Sequence, residues 1–61
     1  MNSIEKEKLL LNLIPGETLF LSQLAKKAKT STSDMLNIAM ALGCFFVSKN
    51  KMGQYLIRKG N

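Results

Sequence analysis

The apolar positions of this 61-residue chain fall into two kinds of rhythm, separated by its proline, its glycines and one polar tract. In the first segment Ile4, Leu9, Leu10, Leu11, Leu13 and Ile14 wrap more than half a helical circumference at about 100° per residue. Asn2 or Ser3 offers an N-cap, with Glu5 in capping-box position after Asn2, and Pro15-Gly16 stops the run. This predicts a helix near residues 3–14, packed on two sides. Leu9 and Leu13 are candidates for a second apolar stripe that faces a homodimer partner.

Thr18-Leu19-Phe20 is β-prone and predicts a short strand near 18–20. A two-turn helix near 22–29 follows, with Leu21, Leu24, Ala25 and Ala28 on its inner side and Ser22, Lys26 and Lys29 outward. The tract Lys29-Thr30-Ser31-Thr32-Ser33 interrupts the apolar pattern, so the chain turns there. Ser31 or Ser33 caps a third helix near 33–42, and Asp34 lies close to its positive end. Met35, Ile38, Ala39 and Leu42 share its inner face at i, i+3, i+4 and i+7, and Gly43 ends it.

The rhythm then changes to that of strands near 44–48 and 54–58, joined by the loop Lys49-Asn50-Lys51-Met52-Gly53. Asn50 and Gly53 suit its left-handed backbone positions. The order is helix, strand, helix, helix, strand, strand. A strand before the second helix has a role only if it joins the C-terminal hairpin. The expected fold class is therefore α+β, one domain over residues 1–61, with three helices against a small antiparallel sheet.

"LSQLAKKAKTSTSDMLNIAMALG" followed by "FFVSKNKMGQYLIRKG" resembles the winged helix-turn-helix superfamily, and the resemblance extends from Ile4 to Lys59. Leu24-Ala25, then Met35, Ala39 and Leu42, then the basic Gly-containing loop from Lys49 to Gly53 occupy the places that family fills with such residues. The chain is also similar, more faintly, to very short bacterial and phage regulators made of this fold alone. The resemblance implies that the third helix enters a DNA major groove and that the hairpin loop meets the flanking backbone or minor groove. Two positions depart from the family. The third helix has no Arg or Lys on its outward face, and Lys29 stands where the inter-helix turn usually has Gly.

Charge sharpens this expectation. Of the net +5, residues 1–24 contribute −1 and residues 25–61 contribute +6, so an acidic partner meets the second half. Lys26, Lys29, Lys49, Lys51, Arg58 and Lys59 are the phosphate-contact candidates. The outward arc of the third helix supplies base-reading candidates: Thr32 and Ser33, Asn37 for a bidentate contact with adenine, and Leu36 and Met40 for thymine methyls. The leading expectation is a small DNA-binding transcriptional regulator whose partner is double-stranded DNA. The alternative is a protein–protein interaction module that uses Leu36, Met40 and Ala41, and the third reading is nonspecific nucleic-acid binding. Phe20, Phe45, Phe46 and Tyr55 are expected to serve the core and hairpin rather than to stack on bases.

The remaining inventory narrows the chemistry. There is no histidine, and Glu5, Glu7, Glu17 and Asp34 are scattered, so no catalytic residues are expected. Cys44 has no histidine to activate it and no second cysteine to bridge, so no metal, cofactor or internal disulfide is expected. No charged-then-apolar leader opens the sequence and no apolar run approaches the roughly 20 residues of a membrane helix. A cytoplasmic protein with no membrane contact is the expectation.

Overall fold

The computed structural model describes residues 1–60, which form a small α+β domain of three helices and a three-stranded antiparallel sheet. Helix α1 spans Ser3–Leu11, strand β1 Thr18–Phe20, helix α2 Leu21–Lys27, helix α3 Thr32–Leu42, strand β2 Phe45–Lys49 and strand β3 Tyr55–Lys59. The sheet order is β1-β3-β2, so the last strand in sequence lies in the middle. Thr18 pairs with Arg58 and Leu19 with Ile57 on one side of β3, and Phe46 pairs with Arg58 and Val47 with Ile57 on the other.

Helix α1 opens with the reciprocal capping box. The Glu5 N–H donates to Asn2 Oδ1 at 2.9 Å and the Asn2 N–H donates to Glu5 Oε1 at 3.2 Å, which satisfies two otherwise orphaned donors. The helix ends at Leu11, three residues before the expected limit. Pro15 disfavours helical geometry at Ile14, Asn12 forms the C-cap, and the Lys59 ammonium donates to the Leu11 carbonyl from the end of β3. A cation is favoured at that negative helix end.

Early termination changes which α1 side chains are covered. Only Leu10 is fully buried, while Leu9 and Leu13 pack half-buried against the core. Leu9 and Leu13, the residues expected to face a homodimer partner, thus give part of their surface to the domain's own core, and the exposed apolar residues of this segment are Ile4, Leu11 and Ile14. The core itself consists of Leu10, Leu21, Leu24, Ala25, Ala28, Met35, Ala39 and Ile57. Leu21, Leu24, Ala25 and Ala28 are on the inner side of the second helical segment as the periodicity predicts. Ile38 and Leu42 join Met35 and Ala39 only as partly buried neighbours.

Alternation along the strands decides the hairpin. Ile57 is fully buried between Leu19 and Val47, which makes that row the inner face and the Thr18-Arg58-Phe46 row the outer one. Each hairpin strand begins and ends one residue later than expected, because Lys49 still pairs with Tyr55 before the loop begins. Asn50 closes that loop with its side chain: Oδ1 accepts from the N–H groups of Met52 at 3.0 Å and Gln54 at 2.9 Å. Gly53, with φ at 82°, takes the left-handed position. Phe45 and Tyr55 pack on the core and Phe46 is a hairpin residue, as expected, with its ring exposed on the outer face beneath Arg58; Phe20, at the end of β1, is exposed and belongs to neither core nor hairpin.

Candidate nucleic-acid interface

The turn from α2 to α3 is built by backbone hydrogen bonds. The Thr30 N–H donates to the Ala25 carbonyl at 3.0 Å and the Lys29 N–H to the Lys26 carbonyl at 3.1 Å, the paired bonds of a Schellman closure. Its left-handed position, where glycine is cheapest, is held by Lys29 at φ 55°, the only non-glycine with positive φ among the described residues. The Ser31 hydroxyl then accepts from the Asp34 N–H at 3.1 Å and caps α3. The left-handed Gly43, φ 79°, ends it.

Asp34 is tied down from two directions. Its Oδ2 accepts from the Lys6 ammonium and from the Thr30 hydroxyl, both at 2.7 Å. The Lys6 hydrogen bond, assisted by Thr30, holds the carboxyl below its ordinary 3.8. The one acid of the basic half is thus matched to a cation from α1, and it is the only ion pair among the described residues. Lys26, Lys27 and Lys29 at the end of α2, and Lys49 and Lys51 at the hairpin, have exposed side chains and no acidic partner. Lys27 was not singled out from the sequence, although its place beside Lys26 in the last turn of α2 was the available signal.

The outward arc of α3 separates the base-reading candidates. Ser33, Asn37 and Met40 are exposed, Met40 at 68%, and Thr32 is half-buried at the first helical position. Leu36 is half-buried and packs on the core, so it does not stand free as a surface anchor. What α3 offers to a partner is a neutral strip with one amide, one hydroxyl and one thioether.

Two of the six phosphate candidates are engaged elsewhere. Arg58 lies over the Phe46 ring on the outer sheet face, with its guanidinium carbon 4.7 Å from the ring centroid. Lys59 caps α1 through the Leu11 carbonyl. Lys49 also leans back, its ammonium 5.2 Å from the Tyr55 ring centroid. Lys26, Lys27, Lys29 and Lys51 are thus the basic side chains of this half with no partner among the described residues, while Lys49, Arg58 and Lys59 keep their charge with their heads turned onto the domain itself.

Among the described residues no group of histidine, cysteine or acidic side chains is placed to hold a metal ion, and no helix is long and apolar enough to cross a membrane. Cys44 is a half-buried free thiol. Comparison with protein families, with curated proteins and with solved structures finds no significant match to this chain.

Proposed function

We propose that this chain is a winged helix-turn-helix module that binds double-stranded DNA and acts as a small transcriptional regulator. The observation that carries the reading is the α2-turn-α3 unit: a tightly closed turn with unpaired Lys26, Lys27 and Lys29 at one end and an exposed, uncharged polar strip on the helix that follows. The element order and the β1-β3-β2 sheet support the same architecture. In this reading α3 enters the major groove, Asn37 presents its amide to adenine, Met40 meets thymine methyls, and Ser33 and Thr32 contact a base or a phosphate. The lysines, including Lys49 and Lys51 on the hairpin, hold the backbone, so affinity is mostly electrostatic and discrimination rests on a few neutral contacts and on DNA shape.

The protein-docking alternative is not favoured, because Leu36 is committed to the core and leaves Met40 as the single large apolar side chain exposed on α3. Anisotropy titrations with random-sequence duplex across a salt series test the proposal. Log K is expected to fall with log[salt] at a slope of about −0.9 per neutralised phosphate. Selection from a random duplex pool is expected to return a shared motif that loses one adenine preference in Asn37→Ala. Absence of binding to any duplex at low salt overturns the reading.

A further inference from the structure

We infer that β2 is a self-pairing edge, through which two copies of this chain join their sheets antiparallel. The inference is independent of the DNA-binding proposal. It starts from hydrogen-bond parity in the hairpin. Gly60 donates its N–H to the Cys44 carbonyl at 2.8 Å, and Asn50 donates to the Gln54 carbonyl at 3.0 Å. Together with the register, these two bonds mark positions 44, 46, 48 and 50 as those whose backbone groups face β3. The N–H and C=O groups of Phe45, Val47 and Lys49 therefore face away from β3, and no other element covers that edge with backbone hydrogen bonds among the described residues.

Natural edge strands are guarded against such pairing by charge, proline, bulges or brevity. This edge has five residues, no proline and a regular register from Phe45 to Lys49. Its one charged residue, Lys49, turns its ammonium over the ring of Tyr55 on β3, away from the open side. The opposite edge is better protected, since β1 has three residues and runs directly into α2.

The occupant that fits is a second β2. The outward-facing residues are symmetric about Val47, so a two-fold axis at Val47 pairs it with Val47 of the second copy and pairs Phe45 with Lys49 in both directions. Each outward donor then meets an acceptor. Phe46, 59% exposed, comes opposite Ser48 and diagonal to Phe46 of the second copy, a spacing that aromatic side chains bridge. The two Lys49 residues lie at opposite ends of the paired segment, roughly 13 Å apart along the strands at about 3.4 Å per residue, so their repulsion is largely screened. A parallel pairing would instead place like charges side by side.

The test combines mass with site-resolved protection on the unmodified chain. Sedimentation equilibrium from about 10 μM to about 1 mM is expected to show conversion of monomer to dimer. Across the same range, amide exchange at Phe45, Val47 and Lys49 is expected to slow, while Phe46 and Ser48, already bonded to β3, change little. Lys49→Pro removes an edge donor that β3 does not use; circular dichroism is expected to stay native while the dimer is lost. A monomer at every concentration overturns the inference, as does a dimer in which those three amides exchange as fast as in the monomer. The latter outcome would assign the contact to another surface, such as the exposed Ile4 and Leu11 of α1.

Discussion

Lys29 is a residue on which local strain and surface charge make opposite demands. A left-handed backbone costs a non-glycine residue about 1–2 kcal/mol, and glycine gives back part of that relief through its larger entropy loss on folding. Lys29→Gly is therefore expected to stabilise the domain by about 0.5 kcal/mol, read as a higher denaturant midpoint with unchanged slope. The same substitution removes an exposed cation, so the salt slope of duplex binding is expected to shrink by about one. A destabilised variant would mean that the Lys29 side chain makes contacts that outweigh the strain. The departure from glycine was legible in the sequence, but the φ of 55° was not, because a lysine at that position is equally compatible with a turn that avoids the left-handed region.

Helices α1 and α3 are joined by a charge contact that periodicity does not reveal. Lys6 and Asp34 are 28 positions apart, and only the fold brings them to 2.7 Å. The Asp34 carboxyl is held below its ordinary 3.8, so its contribution to stability is present at neutral pH and is lost as pH falls below that value through the folded-state one. Thermal melts of the wild type and Asp34→Asn are expected to converge as pH is lowered through this window and to differ above it. Equal pH dependence in the two would show that the contact contributes nothing. The inner faces of α2 and α3 were legible because a 3.6-residue period distinguishes buried from exposed directly. The face of α1 was not: with six apolar residues spread over the expected 3–14 helix, the pattern has no single direction, and the choice of Leu10 over Leu11 is made by packing and by where Pro15 forces the helix to end.

Over the whole molecule, charge read along the chain overstates the connected basic surface. Arg58 and Lys59 count toward the basic second half, yet adjacent strand residues point to opposite faces, one stacked on Phe46 and the other reaching α1. Arg58→Ala is accordingly expected to leave duplex affinity and its salt slope unchanged, whereas Lys26→Ala lowers both; equal losses in the two variants would return the outer sheet face to the DNA interface. The same architecture shapes how the chain reaches its native state. Helices α2 and α3 are neighbours in sequence and their contacts form locally, but β1 has no partner until β3 arrives, as Thr18 must find Arg58 across most of the chain. The β2–β3 hairpin closes locally through Lys49 and Tyr55, whereas pairing β1 with β3 must first close the long loop from Thr18 to Arg58, so that pairing is expected to be the slower step of folding. Any shorter stretch that stops before Tyr55 leaves β1 and β2 without their shared partner and the core without Ile57, so such a fragment is expected to lose the fold as a whole.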